Sequence, residues 1–181
     1  SISAALGGDC TITSATLTVN SGTLSAQTPE GEKAGVTFKG TVIAITNVTF
    51  NEDCFPMVYR MTFNGPASLF ATTGEPVGVT FDDLVMDVND SGNPTLLELN
   101  GDMESECFGG VATLTTDPSL SVLRGELCPT GGTIRMTLPS GTAELDYQAD
   151  GSLEVDNDGD GVTDETFPNC LDPRLFMCVA S

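Results

Sequence analysis

Residues 154–165 read Glu-Val-Asp-Asn-Asp-Gly-Asp-Gly-Val-Thr-Asp-Glu. Asp156, Asp158 and Asp160 fall at alternate positions, and Gly161 follows them. Alternate carboxylates can converge on one cation while the chain wraps around it, and a glycine supplies the sharp turn. Hard divalent cations take oxygen ligands, so this spacing suits calcium. Val162 would add its backbone carbonyl, and Asp164 stands at the ninth position of such a loop. Acids this crowded repel one another unless a cation offsets their charge. The twelfth position, where an acid should close the site, is Phe167, so Glu165 or Asp172 would have to serve there. A second register beginning at Glu154 places Gly159 sixth and Glu165 twelfth. It loses the aspartate that the first position favours, and the register starting at Asp156 fits better.

The run from Asp156 to Gly161 resembles EF-hand-like loops and, more closely, the thrombospondin type-3 and dockerin-type loops of exported proteins. The resemblance covers only residues 156–165. It implies a structural calcium site with Asp156, Asp158, Asp160, Val162, Asp164 and Glu165 as its ligands. A second, weaker candidate spans residues 87–98, where Asp87, Asn89, Ser91, Asn93 and Glu98 surround Gly92 with the twelve-residue spacing. Its flanks read as strands and Asn-Asp-Ser-Gly-Asn-Pro is strong turn chemistry, so a metal-free hairpin is the better reading there.

Six cysteines are present and histidine is absent. No C-x-x-C pair offers a zinc site, so the even count points to disulfides and an oxidising compartment. Sequence alone cannot fix connectivity; the nearest-neighbour set is Cys10–Cys54, Cys107–Cys128 and Cys170–Cys178. Without histidine, Ser-His-Asp and Cys-His nucleophile arrangements are excluded. Carboxylate pairs such as Asp82–Asp83 and Glu104–Glu106 exist, but acids are abundant and no pocket motif accompanies them. The expectation is a protein that is not an enzyme.

Acidic residues number 26 against 6 basic ones, a net charge of −20. Such a surface repels phosphate backbones and anionic lipid, which argues against nucleic-acid and membrane-surface partners. No apolar run approaches the roughly 20 residues that a spanning helix needs. The first residues carry no basic segment and no long apolar stretch, as a mature chain left after signal removal would.

The elements that must position these residues read as strands. Ala15, Leu17 and Val19 alternate with threonines before a turn at Asn20-Ser21-Gly22. Val36, Phe38, Val42, Ala44, Val48 and Phe50 share one parity and Ile43 and Ile45 add apolar character on the other, which predicts a single long strand buried on both faces in its middle. Met57, Tyr59, Met61 and Phe63 form another, ended by Asn64-Gly65-Pro66. Near the C-terminus, Ile134, Met136 and Leu138, then Ala143, Leu145 and Tyr147, then Leu153 and Val155 line one face of an antiparallel meander. Glu154 and Asp156 fall on its outer face.

The fold expected is all-β, an antiparallel sandwich or meander with disulfide staples and essentially no long helix. Residues 1–181 read as one unit, with a weak subdivision into 1–74 and 75–181 that would make two packed subdomains. The function expected is that of an extracellular or cell-surface structural protein that associates with itself, a subunit of a fibre or pilus-like filament with structural calcium and strand contacts between subunits. The alternative is a monomeric module that binds glycan or protein, and a carboxylate-based secreted hydrolase comes third.

Overall fold

The computed structural model describes residues 2–7, 11–27, 31, 33–71 and 75–176. Its strands are β1 (Ile2–Gly7), β2 (Thr11–Val19), β3 (Gly22–Gln27), β4 (Lys33–Phe38), β5 (Thr41–Phe50), β6 (Pro56–Ala71) and β7 (Val77–Asn89). They continue as β8 (Thr95–Ser105), β9 (Gly110–Thr116), β10 (Leu120–Val122), β11 (Thr133–Leu138), β12 (Gly141–Tyr147), β13 (Leu153–Asp156) and β14 (Glu165–Phe167). Helical structure among the described residues is confined to two 3-10 turns, Glu106–Phe108 and Pro173–Phe176. The all-β antiparallel class expected from the alternation is therefore what the chain adopts.

All strands join one antiparallel sheet in the order β1-β2-β5-β6-β7-β8-β9-β11-β12-β13-β14. Off this path, β3 pairs with β4, β4 with the later half of β6, and β10 with the start of β8. The three longest strands carry register shifts, which bend a sheet. β6 and β7 slip register between Phe63 and Gly65, and β7 and β8 slip between Asp82 and Val85. Gly65 at φ 111° and Gly101 at φ 129° lie in the left-handed region, and Asp83 joins them at φ 49°. Asn64 holds that aspartate in place. Its side-chain amide donates to the Asp83 carboxylate, and its oxygen accepts the Asp83 N–H, each at 2.9 Å. A side chain on Gly101 would collide with the Asp83 carbonyl oxygen at 2.5 Å, so this position requires glycine.

The bend lets the two limbs of the sheet fill one core. Ile43, Phe63 and Leu84 come from one side of it, and Phe38, Ala67, Val79, Phe81 and Met103 from the other. Phe63 stacks on Phe38 and meets Phe81 edge-on. A smaller cluster of Leu153, Val155 and Phe167 lies under the C-terminal hairpin, with Leu145, Tyr147 and Leu175 around it.

Two strand expectations need correction. The predicted single strand through Val36 and Phe50 breaks at Gly40, φ 82°, into β4 and β5. The break flips the parity, so Phe38 and Ile43 are buried while Val42 is exposed. Conversely, Asn64-Gly65-Pro66 does not end its strand but bends it. The Pro66 carbonyl accepts both the Lys39 N–H at 3.1 Å and the buried Thr41 hydroxyl at 2.6 Å, which pins the β4–β5 turn to the bend.

The cysteine pairing is also corrected. Cys128 bonds to Cys170 across 42 residues with a Cα–Cα distance of 5.5 Å, which removes both Cys107–Cys128 and Cys170–Cys178. The reason is spatial. The loop between β10 and β11 and the segment after β14 meet, although they are far apart in sequence. Cys54 and Cys107 are each disulfide-bonded, and Cys10 and Cys178 lie outside the described residues.

Candidate metal centre

Asp156 is the last residue of β13 and pairs with Glu144 on β12. Alternation along the strand places it outward, yet it is only 7% exposed because the following loop folds back over it. One Asp156 carboxylate oxygen accepts the N–H groups of Asp158 at 3.1 Å and Gly159 at 2.7 Å, and the other accepts Gly161 N–H at 2.7 Å. Both glycines have positive φ, 72° and 85°. Gly159 also passes so close to Thr142 on β12 that an added Cβ would lie 3.2 Å from its carbonyl oxygen. Asp158 and Asp160 each accept the N–H two residues on, at 3.2 and 2.8 Å. These are successive Asx turns, the local bond that lets a short polar side chain replace a backbone turn.

Asp164 closes the loop. Its N–H donates to the Val155 carbonyl at 2.9 Å, and its carboxylate accepts Asn157 N–H at 2.8 Å. Carboxylate oxygens of Asp156, Asp158 and Asp164 consequently lie within 4.8 Å of one another, a group that could hold a metal ion. All three donors are hard oxygens, which fits a hard divalent cation.

The electrostatics of the cluster are divided. Burial pushes Asp156 up, but N–H donation from Gly161, Gly159, Asp158 and Asp160 outweighs it and leaves its pKa below the usual carboxylate value. For Asp158, the Asp160 N–H pulls the pKa down. The charges of Asp160, Asp164 and Asp156, together with burial, overcome that and hold it above the usual value. Like charges thus act on Asp158 where the three carboxylates converge.

Of the other expected ligands, the Asp160 and Glu165 carboxylates are not part of this group. The Asp160 carboxylate turns to Val162 N–H and lies outside the cluster. Val162, expected to contribute its backbone carbonyl, is 63% exposed. Glu165 is an exposed residue of β14 opposite Val155, and its charge acts on Arg174. Phe167 faces Leu153 in the small core, so the chain enters a strand at the position where a closing acid was sought. Asp172 binds the Arg174 guanidinium through both oxygens, at 3.0 and 2.8 Å, and Arg174 lies 4.6 Å over the Phe167 ring.

The second candidate is dispersed. Asp87 takes a two-point ion pair from Arg60, Asn89 bonds Ser91, Asn93 accepts Arg124 N–H, and Glu98 accepts the Ser119 hydroxyl. Asp87 and Glu98 face each other as a cross-strand pair, and the segment is a hairpin tip. An open groove of about 1170 Å³ is lined by Lys39, Pro66, Glu75, Val77, Glu104 and Glu106 among others. Glu104 and Glu106 thus share a surface, while Asp83 is tied to Asn64.

Fold and site define an antiparallel all-β, disulfide-bonded protein with a three-aspartate cluster at one hairpin end. Compared with known proteins, the chain matches no family model, no curated protein and no solved structure.

Proposed function

We propose that the chain is a non-catalytic, exported structural protein in which residues 156–164 hold a structural calcium ion. The observation that carries this reading is the convergence of Asp156, Asp158 and Asp164 within 4.8 Å on a hairpin whose base is packed and disulfide-linked. Calcium prefers such oxygen donors, with backbone carbonyls and waters completing its shell. Bound there, it would stiffen the β13–β14 hairpin. The test is thermal unfolding with calcium, with magnesium and with chelator. A rise in Tm specific to calcium supports the site, and identical curves in all three sink it.

The same reading extends to self-association into a cell-surface fibre. Among the described residues, β1 stands at one end of the sheet path and β3 pairs with β4 alone, so each offers an outer edge to another strand. Neither Ile2–Gly7 nor Gly22–Gln27 contains a charged residue, although the chain carries −20 overall. Charge is a common guard against edge pairing, and here it is missing. β1 pairs with β2 of its own chain, so strand addition at these edges is favoured over donation of the N-terminal strand. Microscopy and size exclusion of native material decide the matter: discrete monomeric particles would refute the fibre. The open groove beside Glu104 supports the second reading, a surface module that binds glycan or protein, for which glycan-array binding is the test.

A further inference from the structure

We infer that Asn47 is an attachment site for an N-linked glycan. Residues 47–49 read Asn-Val-Thr, the acceptor triplet for N-glycosylation. In a chain so rich in threonine the triplet alone carries little, and its placement carries the inference. β5 bulges here, with Thr46 opposite Arg60 and Thr49 opposite Val58, so two residues of β5 face one of β6. The last β2 partner along β5 is Thr46, and Asn47 therefore lies just past the paired stretch. Asn47 and Thr49 are both exposed.

What Asn47 does not do is equally informative. Other asparagines in this fold have structural work. Asn51 accepts two N–H groups of its turn, Asn64 holds Asp83, Asn93 accepts Arg124 N–H, Asn100 accepts Thr116 N–H and Asn169 accepts Leu171 N–H. Among the described residues, no hydrogen bond engages the Asn47 side chain. Its φ of 55° is one that asparagine tolerates, which accounts for an asparagine at the bulge but not for the exposed threonine two residues on. The triplet Asn89-Asp90-Ser91 differs, since the Ser91 hydroxyl is spent on the Asn89 oxygen at 2.5 Å, and the inference is confined to Asn47.

The donor is a polyprenyl-phosphate- or pyrophosphate-linked oligosaccharide. The Asn47 amide nitrogen bonds to the anomeric carbon and gives up one proton. The anomeric C–O bond breaks, and the lipid phosphate leaves with its electron pair. A glycan on this bulge would project from the β5–β6 surface and restrict what packs beside it.

The inference rests on the exported reading, because glycosyl transfer of this kind acts on exported chains. The experiment is mass spectrometry of the native protein, digested with an acid-specific protease after alkylation of free thiols. The peptide containing Asn47 should carry a hexose-type mass increment. That increment should vanish in Thr49→Ala and persist in Thr49→Ser made in the same host. A predominantly bare Asn47 peptide from native protein with oxidised cysteines overturns the glycan and leaves export standing. Alkylated cysteines overturn both.

Discussion

Leu153 and Phe167 stand opposite each other across β13 and β14, at 1% and 5% exposure. The ring fills the position where a calcium loop of ordinary length would carry its closing acid, so packing closes this hairpin. Phe167→Ala should cost about 3–5 kcal/mol, as large-to-small changes of buried aromatics do. Urea unfolding measures it. Phe167→Glu should lose stability without gaining calcium affinity, and tighter calcium binding at unchanged stability would contradict this assignment.

Asp158 and Asp156 should separate cleanly by mutation. Asp158→Asn removes repulsion from the cluster, so stability in chelator should hold or rise while calcium affinity drops on the order of tenfold or more. Asp156→Asn weakens three backbone N–H bonds as well, so it should lower stability even in chelator. Calorimetric titration and melting curves read both quantities. Equal behaviour of the two variants would remove the distinction.

The pH profile should have two sloping limbs. The hydrogen bond from Arg174 lowers the pKa of Asp172 in the folded state despite partial burial. That contribution is present above the unfolded carboxylate value and is lost as pH falls through the depressed folded value. At the alkaline end, burial pushes Tyr147 up to about 12. Its folded state holds the proton more tightly, so stability declines as pH rises from the ordinary tyrosine value toward that point. Asp172→Asn should flatten the acid limb and Tyr147→Phe the alkaline one, as followed by Tm against pH.

Gly101→Ala tests the bend. The new Cβ would meet the Asp83 carbonyl oxygen at 2.5 Å and Leu84 Cα at 2.8 Å, at a φ that disfavours alanine. Stability should fall by at least about 2 kcal/mol, in the range of local backbone strain. Gly141→Ala, with open space around its Cβ, is the comparison for φ alone. Chemical denaturation of both variants separates collision from φ preference.

The Cys128–Cys170 link closes a 42-residue interval, worth about 4 kcal/mol by chain entropy. Non-reducing peptide mapping should recover this pair and neither Cys107–Cys128 nor Cys170–Cys178. The double variant Cys128→Ala, Cys170→Ala should lose a comparable amount of stability and weaken calcium binding by loosening the segment beside β14.

Much of the C-terminal half was legible because its alternation is strict. Ile134, Ala143, Leu153 and Val155 were read on one face and all are buried. The N-terminal half misled at two glycines that look alike in sequence. Gly40 ends a strand and Gly65 bends one, and the difference lies in a third party: the Pro66 carbonyl accepts from Lys39 and Thr41, a contact no local pattern announces. The Asn-Val-Thr triplet at residue 47 was present in the sequence from the start, but its exposure on a bulge was not.

By itself the sequence determined the antiparallel β class, the oxidised cysteines and the acidic spacing from Asp156 to Gly161. Period-two burial and short-range turn bonds act over a few residues, so composition and spacing suffice for them. Only the tertiary structure decided which acids converge and which cysteines join. Asp164 arrives because its N–H reaches Val155, Asp160 turns away to Val162, and Cys170 meets Cys128. Those outcomes depend on sheet register and on where the chain returns in space, which are set by contacts between distant residues.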